Sequence, residues 1–329
     1  MDHEKFKDSD RKFDLKLRPG SFTEFVGHKN IIERLQVVLH AAKERGEALG
    51  HVLFHGPSGL GKTTLANILA REMGSSLVTS TGPCIEKAGD LAGILTNLQE
   101  RDFFFIDEIH RIPRSVEEYL YPAMEDFSLD LMIDSGPSAR SVQVSLNRFT
   151  LIGATTKIGN LSAPLRSRFG LGIRLELYTV EALTEIVKRS AHILQIPIDE
   201  RSAKEVAIRS RGTPRLANNL LCWVRDFAQL RNANVIDMET VLAASKMAEI
   251  DEKGLDAMDK RILREIIEHH KGGPVGVKAI ASSIGEDEST VSDVYEPYLI
   301  MQGFIRRTPR GREVTRLAYE HLGVTSDED

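Results

Sequence analysis

Three features of the chain predict its fold class. Over the first 180 residues, apolar runs of strand length alternate with amphipathic helical spacings; from Val180 onward only helical spacings occur; near the C-terminus an arginine-rich strand-turn-strand follows three helical stretches. Strands that alternate with helices pair in parallel, with the helices covering the sheet faces. A basic strand-turn-strand after three helices is the pattern of a winged helix. The expected fold is therefore an α/β domain around a parallel sheet at 1–179, a small all-α domain at 180–250 and a winged helix at 251–329.

Each element has its own signal. Ser21-Phe22-Thr23-Glu24 opens the segment 21–45, whose apolar residues Ile31, Ile32, Leu35, Val38 and Leu39 predict an amphipathic helix. The runs 51–55, 76–79, 103–106, 149–152 and 173–177 predict strands, and spacings such as Leu65, Ile68, Leu69 and Met73 predict helices between them. Leu129, Leu131 and Ile133 alternate, Ser135-Gly136-Pro137-Ser138 offers a turn, and Val142, Val144 and Leu146 alternate again, which predicts a β-hairpin. Its apolar face suits either core packing or the docking of a partner. In the second domain helices are expected at Leu183, Ile186 and Val187, at Val206 and Ile208, over Leu216 to Phe227, and over Met238 to Met247. The third begins near Glu252 with Ile262, Leu263, Ile266 and Ile267 on one helix, breaks at Gly272-Gly273, and ends in a short helix, Arg316 to His321.

Composition narrows the function classes. The chain has 329 residues, 41% hydrophobic and 28% charged, enough to bury real cores. No apolar run reaches the roughly 18 residues a membrane span needs, and the start MDHEKFKDSD is too charged for a signal peptide, so a cytoplasmic location is expected. Cys84 and Cys222 stand outside any CxxC or Cys/His cluster, which supports neither a disulfide framework nor a zinc site; both are expected as buried thiols. A net charge of −5 excludes a molecule that is basic throughout, but Arg306 to Arg316 holds five arginines against one acid, Glu313.

The strongest motif is Gly56-Pro57-Ser58-Gly59-Leu60-Gly61-Lys62-Thr63, which matches the phosphate-binding P-loop GxxxxGK[ST] between an apolar strand and a helix. Glycines let backbone N–H groups approach phosphates, Lys62 reaches the β and γ oxygens, and the Thr63 hydroxyl can ligate Mg²⁺. Phe103-Phe104-Phe105-Ile106 ends in Asp107-Glu108, an apolar strand presenting two acids where α/β folds bind ligands. Asp107 would hold magnesium through water, and Glu108 would polarise the attacking water. A third strand ends in Thr155-Thr156, either γ-phosphate sensors or ordinary β-formers. Arg166 and Arg168, in Ala163-Pro164-Leu165-Arg166-Ser167-Arg168-Phe169, are candidates for a finger supplied to a neighbouring subunit, and Arg215 for closure onto the γ-phosphate; a surface salt bridge is the alternative for each.

Together the strings GLGKTTLA, FIDEIHR, APLRSRFG, RGTPRLAN and VYEPYLIMQGFIRRTPRGR resemble those of AAA+ ATPases, and within them the RuvB family of bacterial Holliday-junction branch-migration motors. The resemblance runs from Leu17-Arg18-Pro19 to the arginine wing. It implies ATP and Mg²⁺ as cofactors, and contacts to ATP from Leu17, Arg18, Gly59, Gly61, Lys62, Thr63, Thr64 and Tyr178, with a further nucleotide contact from Glu125, Asp126 and Phe127. It makes Arg168 the trans finger, Arg215 the second-domain sensor, and Arg307 and Arg312 the contacts to duplex and junction DNA. It also implies a homo-hexameric ring acting in recombination and DNA repair, with the hairpin docked on the junction-recognising protein RuvA and the resolvase RuvC as a further partner. Ser58 and Lys157 depart from the family's usual proline and arginine. A clamp-loader-like AAA+ protein, a nucleotide-switched winged-helix regulator and a small-molecule P-loop kinase are the rival readings.

Overall fold

The computed structural model describes residues 16–132 and 141–325. The chain falls into two compact units, 1–193 with 213–218, and 194–212 with 219–329. This division cuts across the three-domain bounds expected from the sequence. Polar ties cross the expected boundary at 179/180: Arg189 donates to the Leu17 carbonyl at 2.8 Å, and Arg215 donates to Ser58 Oγ at 3.0 Å.

The first unit is built on five parallel strands in the order β2-β3-β6-β1-β7. They are β1 (Val52–His55), β2 (Leu77–Thr81), β3 (Phe103–Asp107), β6 (Thr150–Thr155) and β7 (Leu171–Arg174). The central strands are buried on both faces, which is why they read as unbroken apolar runs rather than alternating ones. The register aligns their ends: His55 lies opposite Thr155, and Thr81 opposite Asp107, so three functional loops leave from one edge. Leu53, Phe104, Ile106, Leu120, Phe149 and Leu165 form the core on one side of this sheet.

Two boundaries differ from expectation. The first helix, α1 (Lys29–Arg45), does not begin at Ser21: Gly27 and His28 have φ of 83° and 50°, left-handed values that no right-handed helix passes through. Phe22 and Phe25 are instead buried by turns ahead of it. β7 lies two residues earlier than the run 173–177 suggests, because its pairing with β1 starts at Leu171 opposite Val52. The cysteine expectation also fails. Cys84 is exposed on a 3₁₀ turn, Gly82–Cys84, where its sulfur accepts from Thr81 Oγ1 at 3.1 Å, and Cys222 is half-buried.

The hairpin forms as β4 (Ser128–Met132) and β5 (Ser141–Ser145), antiparallel with Leu129 opposite Val144 and Leu131 opposite Val142. Ile133 and the expected turn lie outside the described residues. The apolar face is not uniform: Leu129 is 1% exposed within the sheet core and Leu146 packs on it, whereas Val142 is 43% exposed. The base of the hairpin thus belongs to the core, and Val142 lies beyond it on the surface.

Within the second unit, α7 (Glu200–Ile208) and α9 (Met238–Met247) are capped by the side chains of Asp199 and Asp237, which accept from Ser202 and Thr240 N–H. The winged helix comprises α10 (Ala257–Arg264), α11 (Val277–Ile284), α12 (Glu288–Thr290), α13 (Glu296–Met301), the antiparallel pair β8 (Ile305–Thr308) and β9 (Gly311–Val314), and α14 (Arg316–Leu322). Ile262, Leu263, Ile280, Leu299, Phe304 and Ile305 form its core. Gly311, at φ 143°, brings the wing onto a further segment: a Cβ there would lie 2.4 Å from the Val275 carbonyl. The remaining helices are α2 (Lys62–Met73), α3 (Ala88–Leu95), α4 (Arg114–Glu125), α5 (Ala163–Ser167), α6 (Val180–Ile193) and α8 (Pro214–Leu230).

Candidate active site

One cleft at the carboxyl edge of the sheet gathers Leu17, Arg18, Gly59, Gly61, Lys62, Thr63, Thr64, Asp107, Glu108, Tyr178 and Arg215. The loop between β1 and α2 does this through its glycines. Gly59 and Gly61 have φ of 80° and 98°, so the chain can turn tightly and present the N-terminus of α2. At Gly59 a Cβ would stand 3.0 Å from the Arg215 side chain, and at Gly61 one would press on the Phe25 ring at 3.3 Å. Lys62 Nζ donates to the carbonyls of Gly56 and Pro57 at 2.9 and 2.8 Å. Burial lowers the pKa of its ammonium, Asp107 and Glu108 oppose that shift, and Arg215 adds to it.

Glu108 has φ 50°, an uncommon left-handed value that turns its backbone sharply out of β3. Gly82 permits this, since a Cβ there would stand 2.3 Å from the Glu108 carbonyl oxygen. The two threonines after β6 divide. Thr155 is fully buried, with its hydroxyl 2.8 Å from His110 Nδ1 and accepting from Lys157 N–H, so it does not face the cleft as a sensor would. Thr156 is exposed, with Oγ1 3.5 Å from Glu108 Oε1. Burial in the central strand takes the first hydroxyl out of reach, and the next residue, where pairing ends, has the accessible one.

The far wall is apolar. Tyr178 is buried, donates to the Leu60 carbonyl at 3.3 Å and meets the His28 ring edge-on at 4.6 Å; burial pushes its hydroxyl pKa up. Arg215 donates to Ser58 Oγ at 3.0 Å, so the departure at Ser58 supplies an acceptor as well as preserving the loop. Sequence reasoning missed Phe25, Arg189 and Asn218, which also line the cleft. Arg189 belongs to no motif and reaches the cleft from α6, whereas Asn218 closes the RGTPRLAN string and reaches it from α8.

Glu125, Asp126, Phe127 and Arg168 do not line this cleft. Arg168 donates to Glu125 Oε2 at 3.0 Å and to the Pro164 carbonyl at 2.8 Å, and its guanidinium stacks 4.3 Å from the centre of the Tyr121 ring. Phe127, half-buried, packs edge-on against Phe149 at 5.9 Å on the margin of the sheet core.

In the second unit Arg307 and Arg312 face each other across β8 and β9 and converge on Glu296, which is 2% exposed. Arg307 Nε donates to Oε1 at 2.5 Å, and Arg312 binds both carboxylate oxygens at 3.0 and 2.9 Å. Burial works to raise the Glu296 carboxyl, but the two guanidiniums outweigh it and hold it below the usual carboxylate range. The arginines are thus a preorganised pair rather than freely solvated charges.

Comparison with known proteins agrees with this geometry. Three family patterns cover most of the chain: the Holliday junction DNA helicase RuvB P-loop domain at 17–175, the RuvB AAA lid domain at 178–251 and the RuvB C-terminal winged helix domain at 252–323. The Holliday junction branch migration complex subunit RuvB of Protochlamydia amoebophila is 62% identical over 94% of this chain and 93% of its own length. That of Flavobacterium johnsoniae is 58% identical over 94% and 91%. The solved structure of the Thermotoga maritima RuvB Holliday junction branch migration motor superposes with a TM-score of 0.86 at 48% identity, covering 94% of this chain and 99% of that one. A P-loop cleft, a small helical region and an arginine-bearing winged helix, in a chain this similar along its length, place the protein in the RuvB family of AAA+ ATPases.

Proposed function

We propose that the chain hydrolyses ATP in this cleft and, as a subunit of a branch migration complex, uses the energy to drive duplex DNA through a Holliday junction. The observation that carries the reading is the convergence of the P-loop, Asp107-Glu108 and Arg215 on one cleft, in a chain that also carries paired arginines on a winged helix. Glu108 polarises the attacking water, Lys62 and the α2 N-terminus neutralise charge on the β and γ oxygens, and Arg215 closes on the loop beside Ser58. The hard oxygen donors Thr63 and Asp107, both on the cleft wall, fit Mg²⁺, with Asp107 acting through water. Held there, Mg²⁺ would supply positive charge to offset that of the phosphates.

Arg168 and the adjoining Glu125 lie outside their own cleft, which suits a role at the cleft of a neighbouring copy in a hexameric ring. The reading keeps functional domains at 1–179, 180–250 and 251–329. Arg307 and Arg312 grip DNA phosphates, the hairpin near Val142 docks the junction-recognising protein RuvA, and RuvC acts in the same complex. Paired arginines on a short hairpin grip backbone without reading sequence, as a translocating motor requires. The test is ATP turnover and strand dissociation on a synthetic four-way junction with and without RuvA. Both should rise together when it is present; turnover by isolated monomers with junctions left intact would overturn the proposal.

A further inference from the structure

Beside Glu108 lies a buried imidazole that the mechanism does not use. His110 sits on the 3₁₀ turn Ile109–Arg111 with its side chain only 7% exposed. Its ring bridges the ends of β3 and β6: Nδ1 is 2.8 Å from Thr155 Oγ1, and Nε2 is 3.4 Å from Glu108 Oε2. An ionised carboxylate only accepts hydrogen bonds, so a ring nitrogen acts on it through an N–H. Burial is the main influence on His110 and lowers its pKa against the pull of Glu108, which favours a neutral ring with a single N–H. With that proton on Nε2, Nδ1 becomes an acceptor for the Thr155 hydroxyl. Thr155 is suited to donate, because its oxygen already accepts the Lys157 N–H at 3.0 Å. The second carboxylate oxygen, Oε1, has Thr156 Oγ1 at 3.5 Å.

We propose that His110 is a positioning residue: its Nε2–H, in a tautomer set by Thr155, orients the Glu108 carboxylate for water activation. Thr155 ends β6, with the accessible Thr156 next in the chain, and Glu108 follows β3, so the imidazole ties two strand ends together beside the cleft. The inference rests on the ATPase reading of the cleft.

Two substitutions separate positioning from packing, because the amide nitrogen of glutamine falls near imidazole Nε2 and that of asparagine near Nδ1. In the full-length chain, with DNA and RuvA present, His110→Asn should lower kcat about tenfold or more while ATP affinity, measured with a fluorescent analogue, stays within about twofold. His110→Gln should keep kcat within about threefold of the parent. Thr155→Val, which removes the hydroxyl that sets the tautomer, should lower kcat in the same sense as the asparagine variant. Equal kcat for the asparagine and glutamine variants, or a loss of ATP binding that accounts for the lower turnover, overturns the proposal. Glu108→Gln is the control: if it abolishes turnover while His110→Asn does not, only the positioning role falls, and if it remains active the water-activation reading falls as well.

Discussion

At the scale of single residues, the same side-chain type serves different ends according to what surrounds it. His51, 7% exposed, accepts from Leu151 N–H at 2.9 Å through Nδ1, so its Nε2 is the donor to the Met124 carbonyl at 3.0 Å. It ties β6 to the end of α4, and burial lowers its pKa. A histidine with a depressed folded-state pKa binds fewer protons than the unfolded chain, so stability should fall as pH drops below about 6.5. Replacing it with alanine leaves two buried backbone groups unpaired and should cost about 2–4 kcal/mol, read as a shift in urea midpoint. In that variant the acid loss of stability should also shrink; an unchanged pH profile would exclude His51 as its source. The chain puts His51 at the head of a strand run and His110 two residues after Glu108 in FIDEIHR, but only their neighbours in the fold make one a structural tie and set the other against the Glu108 carboxylate.

At the scale of elements, the hairpin and the wing show where pattern stops being informative. Alternation correctly paired β4 with β5, but it did not reveal that Leu129 belongs to the sheet core while Val142 is exposed. Leu129→Ala should therefore destabilise the protein by about 2–5 kcal/mol, measured by denaturant unfolding. Val142→Asp should leave stability within about 0.5 kcal/mol and weaken RuvA binding in a pull-down or titration; normal RuvA binding by that variant would remove Val142 from the docking surface. On the wing, arginine clustering was plain in the sequence, but the acid that organises it, Glu296, lies 11 residues before Arg307 and 16 before Arg312. Substituting both arginines with alanine should weaken DNA binding on every sequence and flatten the log–log salt dependence by about two. An unchanged slope would show that the wing does not touch phosphate.

At the scale of the whole molecule, the prediction concerns neighbours. Arg168 is paired with Glu125 and stacked on Tyr121 away from its own cleft. If it serves the cleft of the adjoining copy, Arg168→Ala should cut turnover by about 10³-fold or more and leave ATP binding intact. Mixing this variant with inactive Lys62→Ala should restore some turnover, because an interface between them can combine an intact Lys62 with an intact Arg168. No recovery in mixed rings would place the finger in its own subunit. The sequence by itself determined the P-loop, the paired acids, the alternation that builds the parallel sheet and the arginine-rich wing, because each is a local pattern set by backbone geometry or by chemistry at fixed spacing. Tertiary structure alone decided that Phe25 and Arg189 join the cleft, that Thr155 is withdrawn while Thr156 is accessible, that Cys84 is exposed, and that Glu296 gathers the two arginines. These outcomes depend on which distant segments pack together, and burial and partnership are properties of that packing rather than of any stretch of chain.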